Sequence, residues 1–310
     1  MGTSGNRDSA AARSASLGSS TLDLSTSRSP TSGSPTSGSP ASSPSDSGTT
    51  QDAAALFYDL LGQRVRDPGF VFMNYGYAEE YGTPAERSSP YSWLLPGDRP
   101  RRHHLALVRH VLRDLDLSGR SVLEVGSGRG GNASYLVCYA EPRRVLGVDR
   151  CLANTFLSRG FHSHEDLRFQ PGDAQALPLA DASFDVVLNL ESSHCYPDFA
   201  AFLSEVHRVL RPGGILCWSD LWALEHFPHD WPSRERILRA APFAVEWEED
   251  ITEAVAAAEE ASETVQTLLE EGVPNPDHPF IRRIAEVTGE VYQALRSGRA
   301  SYLCWRLRKA

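Results

Sequence analysis

A strand that runs straight into closely spaced glycines, VLEVGSGRGG at 122–131, constrains this chain more than any other stretch. Gly126, Gly128 and Gly130 mark a tight turn at which backbone can approach a ligand closely, and the helix pattern GGNASYLVCYA follows. Beyond it, short apolar runs alternate with helix patterns: RVLGVD, CLANTFLSRG, LRFQPGD, FDVVLNL, FAAFLSEVHRVL and ILCWSD. Such alternation predicts a parallel, doubly wound sheet. FAVEWEEDI and SYLCWRLRK add two strands. The expected fold is α/β, a Rossmann-like sheet of seven strands with helical N-terminal and lid additions. The spacing also satisfies GxGxxG through Gly131, so a dinucleotide dehydrogenase competes with any other nucleotide reading.

Acids at three strand ends separate these readings. Glu124 precedes the first glycine by two residues, where a carboxylate would meet a cationic amino group and repel a pyrophosphate. Asp149 closes the second strand, 19 residues after Gly130, placed to accept from both hydroxyls of a ribose. Asp173-Ala174 closes the third, where a carboxylate can accept from an adenine amine. A ligand with ribose, adenine and a positive charge fits all three, and S-adenosylmethionine is such a ligand.

Residues 1–50 are Ser, Thr, Gly and Pro with the near-repeat PTSGSPTSGSP, too poor in apolar surface to offset the entropy of ordering. We expect this segment to be disordered and 51–310 to form one domain, with lid elements at about 222–242 and 251–297. Deleting residues 1–50 should therefore leave melting temperature and turnover nearly unchanged, and a large loss of either would show that the segment folds onto the domain. DAAALFYDLLGQRV reads as an amphipathic helix, FVFMNYGY as an aromatic-rich segment, and RRHHLALVRHVLRDLDL as a helix ending near Gly119 whose His103 and His104 face solvent.

The net charge of −10 argues against a nucleic-acid partner. Five cysteines without a CxxC pair offer neither a disulfide framework nor a zinc site, and a reducing cytoplasm is expected. FHSHED holds two histidines among acids without further ligands, so no metal is expected. The apolar runs are strand-sized, too short to span a membrane. A homo-oligomer stays open.

With EVGSGRG, GVD, GDAQALP, FDVV and RVLRPGG in this order, the chain resembles the class I S-adenosylmethionine-dependent methyltransferases. More narrowly, FMNYGY, SGRSVLEVGSGRGGNASYL, NLESSHCYPDFAAFLSEVHRVLRPGG and VYQALRSGRASY look like the phthiotriolone and phenolphthiotriolone dimycocerosate methyltransferases and related natural-product enzymes. The likeness spans about residues 57–309. It implies methyl transfer to a hydroxyl, or sometimes a carbon, of a bulky apolar small molecule. The cofactor set expected from the motifs is Glu124, Gly126, Gly128, Gly130, Asp149, Arg150, Asp173, Ala174, Asn189 and Tyr75, and Tyr77, Glu191, Tyr196 and Trp222 are the residues expected on the acceptor side. Trp218, Trp231 and Trp247 could join Trp222 in an apolar acceptor pocket. The stretches LWALEHFPHDWPSRERILRA and TEAVAAAEEASETVQTLLEEG show no such likeness, and a lid would sit there.

His194 lies just past the fourth strand and Asp220 ends the fifth, 26 residues later, so the two can meet at the sheet edge where α/β proteins bind ligands. In sugar O-methyltransferases of similar sequence, a histidine before a Pro-Asp and an aspartate at this separation deprotonate the acceptor. A histidine oriented by a carboxylate suits that task, with activity rising through a pKa of about 6 to 7.5. A structural capping histidine is the alternative for His194. For the whole chain, the alternatives are methylation of a prenyl or aromatic carbon, coupled or not to cyclisation, and a non-methylating cofactor-binding cyclase or partner subunit.

Overall fold

Five apolar runs pair side by side because each is long enough for one strand and is followed by a segment that covers it. The computed structural model describes residues 57–66, 68–78, 92–222, 231–260 and 279–310. The expected disordered segment 1–50 lies outside them, as do parts of both lid elements. After a helical stretch α1 over 57–64 come α2 (Arg102–Leu112), β1 (Ser121–Val125), α3 (Gly131–Tyr139), β2 (Arg144–Asp149), α4 (Leu152–Phe161), β3 (Leu167–Pro171) and β4 (Phe184–Leu190). Then follow α5 (Phe199–Val209), β5 (Leu210–Trp222), α6 (Trp231–Ala240), β6 (Phe243–Asp250), α7 (Thr252–Glu260), α8 (Pro279–Arg296) and β7 (Ser301–Lys309).

The seven strands form one sheet in the order β3-β2-β1-β4-β5-β7-β6. The first five are parallel, and β7 inserts antiparallel between β5 and β6. Order reverses between β1 and β4, which opens a crevice at their carboxyl ends. Side chains alternate across the sheet. Val122, Val186, Leu188, Ile215 and Tyr302 pack toward Leu107, Val111 and Leu136 on one face. Leu123, Val187, Leu216, Trp218 and Leu307 pack toward Phe199, Phe202 and Val206 of α5 on the other. No helix among the described residues is long and apolar enough to cross a membrane.

Two expectations are corrected. The helix expected to reach Gly119 stops at Leu112, where Arg113 turns left-handed at φ 47°. That turn releases the chain so that Leu117 can enter the core. His103 and His104 are buried rather than solvated. His104 Nδ1 lies 2.7 Å from the Asn74 carbonyl oxygen, and burial lowers its pKa to about 4, so it packs as a neutral ring stacked on Phe72.

Candidate active site

The glycine turn leaves β1 with Gly126, Gly128 and Gly130 at φ +72°, +49° and +81°, the left-handed region that side chains avoid. A Cβ on Gly126 would stand 2.3 Å from Ser192 Oγ, and one on Gly128 3.0 Å from Met73 Sδ. Gly130 serves another purpose, since its Cβ would strike the Phe169 ring at 2.5 Å; it lets the loop pack on β3. The turn therefore offers bare backbone to a cavity of about 360 Å³ at the crevice. Gly126, Gly128, Asp149, Arg150, Asp173, Ala174, Glu191 and Tyr196 all line it, eight of the residues singled out from the sequence.

Asp149 joins the turn to β2. Its Oδ2 accepts from Gly128 N–H at 2.7 Å and its Oδ1 from Cys151 N–H at 2.8 Å. Burial raises its pKa. Asp173 Oδ1 accepts from the Gln175 backbone at 2.9 Å. Behind the turn, Glu124 is buried; Asn132 donates to its Oε1 at 2.9 Å, while Oε2 meets no donor with hydrogen-bond geometry. Burial pushes that carboxyl up to about 8. A buried acid with a spare oxygen beside a glycine turn fits a cationic, ribose-bearing ligand such as S-adenosylmethionine, whose charge would draw the proton off.

Glu191 faces the cavity from the end of β4 with φ 47°, a strained setting for a side chain other than glycine. Its backbone N–H donates to Ser219 O at 2.9 Å, and its Oε1 accepts from Tyr75 N–H at 2.8 Å and from the Tyr302 hydroxyl at 2.7 Å. Burial pushes this carboxyl, too, up to about 8. Asn189 does not reach the cavity wall; its amide nitrogen donates to Val125 O at 2.9 Å and braces Ser192 at 2.8 Å.

His194 and Asp220 meet. Nδ1 of the imidazole lies 2.7 Å from Asp220 Oδ1, and the His194 backbone N–H donates to Oδ2 at 2.9 Å. Ser193 Oγ donates to the same oxygen and accepts from Trp218 Nε1 at 3.0 Å. Arg234 of α6 donates to Ser193 O at 2.8 Å, and Asp198 caps α5 by accepting from Ala201 N–H at 2.9 Å, so the turn is held from both sides. Burial works against charge on the imidazole, but the Cys195 sulfur and the Asp220 carboxylate outweigh it and hold its pKa well above the usual value. Asp220 is lowered in turn: burial opposes its charge, and His194 overcomes that.

His194 is not on the cavity wall; Glu191, Ser192 and Cys195 are. Nor are Tyr77 and Trp222, which were expected to hold the acceptor. Tyr77 stacks on His110 at 4.1 Å, and Trp222 packs in the core against Trp218 with Arg234 over its ring. Trp218 is fully buried and Trp247 lies against His110, while the Trp231 side chain falls outside the described residues. Tyr75 contributes its backbone N–H, which donates to Glu191 Oε1. Sequence reasoning missed Tyr58, Asp59, Met73 and Cys195, which line the cavity. The 53–66 pattern showed a helix but carried no sign of what it covers.

Residues 123–218 match the family model described as a methyltransferase domain. A fatty-acid O-methyltransferase of Mycolicibacterium smegmatis is 34% identical over 255 residues, covering 81% of this chain and 88% of that protein. A phthiotriol/phenolphthiotriol dimycocerosates methyltransferase of Mycobacterium ulcerans is 35% identical over 248 residues, covering 79% and 86%. Among solved structures, a geranyl diphosphate C-methyltransferase from Streptomyces coelicolor A3(2) aligns with a TM-score of 0.59 at 17% identity, covering 86% of this chain and 100% of that one. A [4+2]-cyclase aligns equally well, at 20% identity over 84% of this chain and 96% of that one. Those two likenesses concern the fold.

Proposed function

This chain belongs to the S-adenosylmethionine-dependent methyltransferases, and from that premise we propose that it methylates an oxygen of an apolar small molecule. The bound cofactor supplies an electrophilic methyl group on sulfur. The chain's own residues would hold it: backbone at Gly126 and Gly128, Asp149 for the ribose, Asp173 for the adenine, and the raised acid Glu191 for the cationic end, with Glu124 behind the turn rather than on the cavity wall. The observation that carries the oxygen reading is the 2.7 Å contact between His194 Nδ1 and a fully buried Asp220 beside this cavity. Nδ1 faces the carboxylate, and an acceptor hydroxyl that reaches the ring past Cys195 would give its proton to Nε2. Asp220 fixes the ring and stabilises the imidazolium that results.

A second reading is favoured by the raised pKa of His194. An imidazolium at neutral pH pairs well with a carboxylate, which needs no base before methylation, and the M. smegmatis relative is named for fatty acids.

Transfer of labelled methyl to long-chain alcohols and long-chain acids, followed across pH, tests both. With a hydroxyl acceptor, the rate should climb as pH rises through the raised His194 pKa, because the base must first lose its proton. With a carboxylate acceptor, it should fall across the same range, because the imidazolium is what binds. Label recovered on carbon would sink the oxygen reading altogether.

A further inference from the structure

Arg129 stands inside the glycine loop, yet its side chain is fully buried and reaches away from the cavity. Its Nη2 donates to Leu61 O at 3.1 Å and to Val65 O at 2.5 Å, and its Nη1 donates to Phe70 O at 3.1 Å. The guanidinium lies over the Phe70 ring at 4.8 Å. Leu61 lies in the last turn of α1, its carbonyl also accepting from Val65 N–H at 2.9 Å, and Val65 follows directly, where the helix dipole favours a cation. One planar group thus ties off a helix terminus and the strap that follows it.

That strap and helix make a wall of the cavity. Tyr58, Asp59 and Met73 line it; Asp59 Oδ1 accepts from Cys151 Sγ at 2.9 Å, and Tyr75 N–H reaches Glu191. Val71 and Phe72 of the strap join the cluster on one face of the sheet, but the helical part of the wall has little core of its own. Leu61 and Val65 form a small cluster with Phe57, Tyr58, Phe70 and Met73, separate from the two clusters that flank the sheet. A helix this short is marginal without tertiary support. Apart from backbone contacts such as Gly131 N–H to Val71 O at 3.3 Å, the link from the glycine loop to α1 is Arg129.

We propose that Arg129 is a positioning residue that locks segment 57–75 onto the glycine turn, so that Tyr58 and Asp59 stand over the cofactor. The proposal rests on assigning the cavity to S-adenosylmethionine. Because the same turn carries Gly128 on its cavity side and Arg129 on its far side, cofactor binding and closure of the wall reinforce each other.

Trypsin reads the wall directly, since Arg64 and Arg66 are exposed within it. In the full-length Arg129→Met variant, without ligand, cleavage after these two residues should accelerate about 10- to 100-fold, the loss expected for hydrogen bonds from a charged donor. Cleavage within the sheet should not change. S-adenosylhomocysteine, used as the probe, should bind more weakly by a similar factor and should no longer protect the two bonds. Arg129→Lys keeps the charge but cannot span three carbonyls, and should fall between. A merely structural role would lower the melting temperature without selective cleavage at 64 and 66. Wild-type affinity and wild-type cleavage in Arg129→Met overturn the proposal; if that variant does not fold, wild-type values in Arg129→Lys do so. A wild-type protein that fails to bind the probe sinks the cofactor assignment instead, and the ligand-free trypsin comparison still judges Arg129.

Discussion

Replacing His194 with alanine is expected to cut turnover about 100- to 10,000-fold on a hydroxyl acceptor while leaving affinity for S-adenosylhomocysteine intact. Asp220→Asn should do nearly as much, because the neutral amide no longer steadies an imidazolium at 2.7 Å. The double variant should lose little beyond the worse single one, since the two act as a unit. Neither residue lines the cavity that would hold the cofactor, so calorimetry with S-adenosylhomocysteine separates chemistry from binding. The pH profile carries a further sign. From sequence, a transition at about 6 to 7.5 is expected. The buried Asp220 and neighbouring Cys195 raise the His194 pKa, so the rising limb should lie higher than that. A His194→Ala enzyme that keeps most of its turnover would reject the base assignment and leave the histidine as a brace for the 192–198 turn.

Asp149→Ala should weaken S-adenosylhomocysteine binding by about 100-fold or more. Two effects add there. Two charge-assisted bonds are lost to the backbone of the turn and of α4, at Gly128 and Cys151, and with them the acceptor for the ribose hydroxyls. Gly128→Val should do the same by another route. Its φ of +49° strains any side chain, and the added Cβ meets Met73 Sδ at 3.0 Å, so the Met73 side chain on the cavity wall must give way. Thermal melts of both variants establish that the sheet survives, as expected for changes at a strand end. Binding of NADH by the wild type, with no binding of S-adenosylhomocysteine, would refute the cofactor assignment.

How far the site was legible depended on whether a residue's role is local. Gly126 and Gly128 could be read because a left-handed turn after a strand leaves no other residue type comfortable. Asp149 and Asp173 could be read because a strand end in an α/β sheet points its side chains into one crevice. His194 and Asp220 could be paired because adjacent parallel strands end at the same edge, and the structure places them 2.7 Å apart. Tyr77 and Trp222 could not be placed, because an aromatic residue suits a core and a pocket equally.

Apolar period and backbone freedom act over a few residues, so the strands, the glycine turn and the acids around it are written along the chain. Tertiary structure alone decided which distant segments finish the cavity. Tyr302 reaches Glu191 across 111 residues, and Arg129 reaches Leu61 across 68. It also decided that Glu124 and Glu191 are buried enough to hold protons near neutral pH, and that His103 and His104 are not solvated. The physical reason is common to all of these. Desolvation and long-range hydrogen bonds depend on which surfaces close over one another, and no period along the chain records that closure.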